Sequence, residues 1–275
     1  MLCADHKSTS VELRVKTMRI SIVTISYNQI AFLRKCIDSV LSQQDVELEY
    51  IIVDPGSTDG SRELISSYGS RVIKIFQKDE GPADGLNNGF SFATGDIYGF
   101  VNSDDYLLPG ALRTVCDYFE KHGLNSFLSG SGYILNKSGI LKPILPTRME
   151  LKPMIYGACT VFQQGTFFPE KFFTYVGGFN SENRTCWDGE LFIDFISAGY
   201  SHHIINQKLA VFRLYDESIT GSGRLQALYK ADRRRIFKKI TGRDYAYRDR
   251  LVRYFWRLRK ITYRTLFKLF PRILH

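Results

Sequence analysis

Four short apolar runs, each giving way to polar residues and most then to a helix-length amphipathic stretch, constrain this chain more than any other feature. The first, Arg19 to Ile25, leads through Ser26-Tyr27-Asn28 into a pattern at Phe32, Leu33, Cys36, Ile37, Val40 and Leu41, which has the period of a helix with one buried face. The second, Tyr50 to Val53, ends in Asp54-Pro55-Gly56-Ser57-Thr58-Asp59-Gly60, and a helix from about Ser61 turns Leu64 and Ile65 inward. A third short strand at Val72 to Phe76 precedes the glycine-punctuated segment Gly81 to Gly89, and a fourth covers Ile97 to Val101. Alternation of this kind predicts a parallel sheet with crossover helices. Asp54, Asp84 and Asp104 lie at or just beyond three of these strand ends. In open α/β sheets ligands bind at that edge, so the three are expected to converge there. The run Phe100-Val101-Asn102-Ser103-Asp104-Asp105 places two adjacent carboxylates at a strand's carboxyl end. Such a pair suits a hard divalent cation carrying a phosphate. A turn whose Asp caps the helix after Pro109-Gly110 is the simpler alternative.

With 275 residues, 44% hydrophobic and 24% charged, the chain can bury a substantial core in one large α/β domain or two small ones. It carries no apolar run of membrane-spanning length and no signal peptide, so the body is expected in the cytosol, with Met18 close to the functional start. The five cysteines are scattered without a CxxC pair, which fits reduced thiols better than disulfides or zinc. Charge is distributed unevenly. Residues 224–275 hold 17 Lys/Arg against 3 Asp/Glu, while the preceding 223 hold 20 basic and 25 acidic side chains. After about residue 125 the alternation fades. Strands are expected near 126–134 and 160–168, a short helix at Pro169, and a helix from Trp187 to Ala198. His202 and His203, at a strand start, read as structural or surface residues.

Taken in order, TISYNQ with FLRKCIDSVLSQ, IIVDPGSTDGS, ADGLNNGFSFATGDIYGFVNSDD, VGGFN and WDGEL resemble the family 2 glycosyltransferases. Competing phosphate loops, GxGxxG and GxxxxGK[ST], are missing. The resemblance spans roughly residues 20–221 and implies an α/β GT-A fold: a mixed, mainly parallel sheet flanked by helices, of the nucleotide-diphospho-sugar transferase type. It implies a domain over 18–221, with a nucleotide-sugar half at 18–122 and an acceptor half at 123–221, followed by a basic helical tail at 222–275.

The resemblance also distributes roles. Thr24, Tyr27 and Asn28 would face the donor. Asp54 would accept the imide N–H of a uracil or thymine, unless it is only a turn residue before Gly56. Pro55 stands where most relatives have Gly, removing a backbone donor near the base. Asp84 would contact the nucleotide or cap its helix. Asn102-Ser103-Asp104 occupies the place of the family's DxD motif, with Asp104 binding Mn2+ or Mg2+, Asn102 in reach of the ribose and Ser103 among the donor-binding residues. Asp105 would support Asp104 or cap the next helix. The cation neutralises the leaving diphosphate. Asp188 matches the position of the general base in inverting relatives, with helix capping as the alternative. Trp187 would stack on an acceptor sugar or join the core, and Gln164 and Glu190 belong to the acceptor side, although Glu190, two residues beyond Asp188, points elsewhere on a helix. Val211 to Thr220 resembles a late R-x-H-x-x-S loop in which Arg213 and Ser218 are kept and Tyr215 replaces histidine, with Arg213 expected at the diphosphate.

In the tail, Arg253, Arg257, Lys260, Arg264 and Lys268 recur at helical spacing opposite Leu251, Phe255, Leu258, Thr262, Leu266 and Leu269. A basic amphipathic helix of this kind suits an anionic membrane surface at 245–275, each cation contributing on the order of 1 kcal/mol. A helix docked on the body or on a partner is the plain alternative. The expected function is therefore inverting transfer of a sugar from a nucleoside diphosphate, UDP in the first instance, to a glycan or lipid-linked acceptor of a surface polysaccharide. The enzyme would sit on the inner face of the cell membrane. A nucleotide-sugar-binding scaffold of the same fold is the second reading. A nucleic-acid-associated protein is the third, and it lacks any base-reading module; no nucleic-acid partner is expected.

Overall fold

The computed structural model describes residues 18–216 and 223–269. In the first half, β1 (Arg19–Ile25), α1 (Ile30–Leu41), β2 (Glu47–Val53), α2 (Ser61–Ser67), β3 (Ile73–Ile75), α3 (Pro82–Phe90) and β4 (Ile97–Phe100) follow the expected alternation. The second half adds β5 (Tyr106–Leu107), α4 (Ala111–His122), β6 (Ser126–Asn136), β7 (Leu141–Ile144), α5 (Leu151–Ile155), β8 (Thr166–Pro169), α6 (Glu170–Val176), α7 (Trp187–Ser197) and β9 (Ser201–Leu214). Two helices close the described chain, α8 (Gln226–Thr241) and α9 (Arg248–Leu269).

The strands form one sheet in the order β3-β2-β1-β4-β8-β6-β9-β5, with β7 beside β6. β1 to β4 run parallel, β8 is antiparallel to both β4 and β6, and β9 is parallel to β6. The sheet is thus mixed and mainly parallel. Its order reverses between β1 and β4, because the chain winds outward through β2 and β3 and returns to the other side of β1. Loops diverge at such a reversal and leave a crevice at the carboxyl ends.

Period-two alternation explains which face each residue serves. Ile20 and Ile22 of β1 pack with Tyr50 and Ile52 of β2 beneath α1, α2 and α4, while Val23, Ile51 and Val53 pack with Leu86 and Phe90 of α3 and Phe192 of α7. The second cluster is rich in rings: Phe90, Tyr98, Phe168, Phe173 and Phe179 stack or meet edge-on at centroid separations of 4.8–6.3 Å. Each fully buried ring contributes about 1.5–3 kcal/mol, so this cluster holds α3, α6 and α7 rigidly on the sheet. Asn87 of α3 adds a polar tie, donating to Phe179 O at 2.8 Å and accepting Phe179 N–H at 2.9 Å. That contact needs the preceding Gly178, whose φ is +80° and whose absent Cβ would lie 2.7 Å from Asn87 Oδ1.

Two expectations change. The strand expected at 160–168 begins only at Thr166, after a single 3-10 turn at Gln163–Gly165. The late loop at 211–220 is β9 as far as Leu214, where Arg213 pairs with Leu135 of β6; Ser218 lies outside the described residues. The basic tail holds two helices: α9 covers most of the amphipathic stretch expected at 245–275, and α8 precedes it. α8 is joined to the body through buried Ile236 and Phe237 and through Arg233, which donates to Met154 O and Ile155 O at 2.7 and 2.9 Å.

Candidate active site

The reversal point opens into a cleft of about 990 Å³. Its first wall comes from the ends of β1, β2 and β4: Ser26 and Tyr27, Pro55 and Gly56, then Asn102, Ser103 and Asp104. Lys78 and Asp79 follow β3, while Gln163, Gln164, Trp187 and Asp188 come from the second half of the chain. Asp104 and Asp188, 84 positions apart, therefore line one cavity, as their motifs implied.

The Asp104-Asp105 pair splits. Asp105 is buried; its carboxylate accepts Gln164 Nε2–H at 2.8 Å and the Arg213 backbone N–H at 2.8 Å. Burial, reinforced by the Asp104 charge, pushes its carboxyl well above the ordinary range. It therefore supports the turn from within and does not cap α4. Asp104 remains half-buried at the cleft and accepts the Tyr215 hydroxyl at 3.1 Å. Tyr215 packs on Phe32 with centroids 5.0 Å apart and also bonds Gln29 at 3.3 Å. Beside Asp104, Asn102 Oδ1 and Ser26 Oγ are buried without a hydrogen-bond partner. Both belong to cleft-lining residues. A buried oxygen without a partner is costly, and a ligand hydroxyl would relieve the cost.

Several donor-side expectations are corrected. Thr24 is fully buried on the α1 side of β1, its hydroxyl 3.0 Å from Tyr50 Oη and 3.8 Å from Cys36 Sγ. Thr24 thus faces the core, and Ser26, beyond the end of β1, lines the cleft instead. Asn28, at φ +52°, braces the loop after β2 by accepting Thr58 N–H at 2.9 Å. Asp54 is fully buried and accepts Gly56 N–H, Ser57 N–H, the Ser57 hydroxyl and Arg62 Nε–H at 2.6–3.1 Å. Its oxygens face the loop, so none is turned to a base in the cleft. Asp84 sits in the first turn of α3 and accepts the Glu80 N–H at 3.0 Å, one residue before the N-cap Gly81. Arg213 donates from Nε to Asp104 O at 3.0 Å with its guanidinium 4.6 Å from the Phe32 ring centroid. It braces the Asp104 turn instead of lining the cleft.

The carboxylate that sequence reasoning missed is Asp79. It lines the cleft beside Lys78, accepts Gly81 N–H at 3.0 Å, and lies against Gly85, where any Cβ would come within 2.6 Å of Oδ2. Burial, with help from the Asp84 and Asp54 charges, pushes its carboxyl up. The available signal was the glycine three residues into α3.

Of the residues expected on the acceptor side, Trp187 and Asp188 open α7 and line the cavity, with Trp187 only 8% exposed. Burial raises the Asp188 carboxyl above its ordinary value against the opposing hydrogen bonds from the Gly189 N–H and its own. Glu190 is corrected. Two residues later on the helix, it is buried and points to α8, where Arg235 binds it at 2.6 and 2.8 Å and Asn183 and Asn180 donate at 2.8 and 3.2 Å. Burial would push its carboxyl up, but these donors outweigh burial and hold it at about 2. Its work is to fasten α8 to α7. His202 is buried and neutral, its pKa lowered to about 3 by burial, with Nδ1 accepting Met149 N–H.

Asp79, Asp104 and Asp188 all line the cleft, yet no group of three or more His, Cys, Asp or Glu side chains that could hold a metal occurs among the described residues. The donor set fits an ion carried mainly by ligand phosphates and held to the protein at Asp104, the manner in which Mg2+ commonly binds.

The family model for glycosyl transferase family 2 matches residues 21–176. The chain is 36% identical over 107 residues to an uncharacterized glycosyltransferase of Nostoc sp., covering 38% of this chain and 33% of that protein. It is 28% identical over 188 residues to the chondroitin synthase of Pasteurella multocida, 67% of this chain and 20% of that one. The chain thus spans a third or less of the length of these two relatives. Among solved structures, it is similar to S. aureus TarS 1-349 in complex with UDP-GlcNAc, at TM-score 0.61 and 16% identity over 81% of this chain and 71% of that one. The mannosyltransferase PcManGT from Pyrobaculum calidifontis in complex with GDP-Man and Mn2+ is similar at TM-score 0.61 and 14% identity, covering 86% and 67%. These likenesses are of fold, and the fold is the GT-A one that the motifs implied. With strand-end motifs, sheet reversal and a family match over more than half its length in agreement, the chain belongs to glycosyl transferase family 2.

Proposed function

We propose that this chain is an inverting glycosyltransferase that moves a sugar from a nucleoside diphosphate, UDP in the first instance, to a hydroxyl of a glycan or lipid-linked acceptor in surface polysaccharide synthesis. The observation that carries the reading is the meeting of Asp104 and Asp188, from the two halves of the chain, in one cleft. Solved neighbours that hold UDP-GlcNAc or GDP-Man support a nucleotide-sugar donor, and a chondroitin synthase among the relatives supports a polysaccharide product.

In this reading the donor lies along the ends of β1, β3 and β4. Ser26 Oγ and Asn102 Oδ1, both lacking partners, take hydrogen bonds from the ribose side, and Asp79 is the carboxylate placed to accept a pyrimidine N–H. Asp104 would hold Mn2+ or Mg2+ together with the diphosphate; when bound, the ion neutralises charge on the leaving group. Asp188 accepts the proton of the acceptor hydroxyl as its oxygen bonds to the anomeric carbon, and the bond from that carbon to the diphosphate oxygen breaks on the opposite face. UDP leaves with the bonding pair, and Asp188 carries the proton. A carboxyl raised by burial is a stronger base than an exposed one, which favours this step. Trp187, beside it, offers the acceptor sugar an apolar edge.

The test is a panel of nucleotide sugars assayed for transfer, with UDP-dependent thermal stabilisation as the binding readout. Asp188→Asn should keep the UDP shift and lose transfer by roughly 10²–10⁴-fold. Equal transfer in that variant would remove Asp188 as the base. Binding by the wild type with no turnover on any acceptor would favour the scaffold reading.

A further inference from the structure

The C-terminal helix α9 uses one face to hold the body and leaves the opposite face apolar and exposed. Its attachment is specific. Buried Asp249 accepts Arg243 at 2.7 Å and the Tyr156 hydroxyl at 3.0 Å. Trp256 and Lys260, two and three turns further, are half-buried while their neighbours from Arg250 to Thr262 are exposed, and Arg259 reaches Glu150 at 3.6 Å. At roughly 100° per residue, Asp249, Trp256 and Lys260 share one side. Lys260 is therefore turned toward the body and does not belong to a solvated basic stripe.

On the far side Leu251, Tyr254, Phe255, Leu258 and Ile261 form a continuous row, between 46% and 70% exposed. Single exposed apolar residues need no explanation, but five in a row on one helix mark an interaction surface. Exposed arginines border the row on both flanks: Arg250 and Arg257 on one, Arg248 and Arg259 on the other. No helix among the described residues is long and apolar enough to cross a membrane. An apolar row between two cationic flanks is the arrangement of a helix lying in the plane of a bilayer, its apolar side chains at the acyl boundary and its guanidinium groups among headgroup phosphates.

We propose that α9 seats the enzyme on an anionic lipid surface through this row, with its other face fixed to the acceptor half. The charge selects the occupant. A second copy would bring the same arginines against these, and like charges at that distance repel, whereas anionic headgroups complement both flanks. α8 argues the same way: its Arg233 and Arg235 are turned to the body, while Arg248, Arg250, Arg253 and Arg257 of α9 carry no ion pair to an acidic side chain of the body among the described residues. This inference stands apart from the transfer chemistry, because no α9 residue lines the Asp104–Asp188 cleft.

Flotation of the full chain with phosphatidylcholine vesicles, with and without phosphatidylglycerol, tests it. The wild type should float only with the anionic vesicles, and increasing salt should release it. The triple variant Leu251→Gln/Phe255→Gln/Leu258→Gln and the pair Arg250→Glu/Arg257→Glu should each weaken binding by roughly tenfold or more. Both should keep the wild-type UDP thermal shift, which shows an intact body. Flotation of either variant like the wild type, or no flotation of the wild type, overturns the proposal. So does a wild-type dimer in sedimentation that the triple variant dissociates, since the row would then be a subunit interface. Failure of Asp188→Asn to lose transfer leaves flotation untouched, so the two proposals fail separately.

Discussion

The loops that leave β2 and β4 begin alike, an apolar strand running into aspartate, and end in opposite states. Asp54 is sealed: two backbone N–H groups, a hydroxyl and an arginine occupy its oxygens. Asp104 is presented, half-buried at the cleft with one hydroxyl from Tyr215. The difference follows from what comes next in each loop. After Asp54, Gly56 and Ser57 fold their N–H groups back onto the carboxylate as an Asx turn does. After Asp104 a second carboxylate, Asp105, takes the inward hydrogen bonds from Gln164 and Arg213, which leaves the first facing out. The same contrast recurs on α7 between Asp188, which faces the cavity, and Glu190, which is closed by Arg235. A carboxylate at a strand or helix end is available to a ligand only where its neighbours have not already satisfied it.

The sharpest test of this contrast is Asp104→Ala, expected to lower transfer by about 10²–10³-fold while the urea midpoint stays near that of the wild type. Asp54→Ala should do the reverse, costing about 2–4 kcal/mol of stability with little effect on kcat per folded molecule. A well-folded Asp54→Ala protein that no longer binds UDP would break the comparison. Tyr215→Phe removes only the hydroxyl on Asp104 and should reduce kcat/KM by about threefold to tenfold, with unchanged chemical denaturation.

The pair on α7 separates by pH. Asp188 has a raised pKa and acts deprotonated, so log kcat/KM should fall with slope one on acidification from a pH above the ordinary aspartate range. Glu190 has a depressed pKa. Its contribution to stability is therefore complete above the usual glutamate value of 4.5 and is lost as pH approaches about 2. Glu190→Gln should flatten that part of the stability profile, measured by thermal melts across the acid range, without moving the kinetic one.

Much of the fold was legible from residues 19–101, because strand and crossover helix differ in apolar period and each stops at a polar residue. The presence of Asp104 and Asp188 at the ends of β4 and at the start of α7 was legible too. What misled was direction. Asp84 and Asp79 flank the same turn, and only the structure shows that Asp84 folds back four residues onto Glu80 N–H while Asp79 lines the cleft. Thr24 and Ser26 lie on the same face of the chain by simple alternation, yet β1 ends between them, and one is core while the other lines the cavity.

Local pattern alone determined the α/β alternation, the strand-end acids and the basic amphipathic end of this chain, since each depends on side chains a few positions apart. Tertiary structure decided which of those acids are already hydrogen-bonded, which residues of β9 and α8 reach across to brace them, and which side of α9 is left to face outward. Those outcomes depend on donors 45 to 109 positions away, and the identity of a distant hydrogen-bond partner leaves no periodic mark on the residues it satisfies.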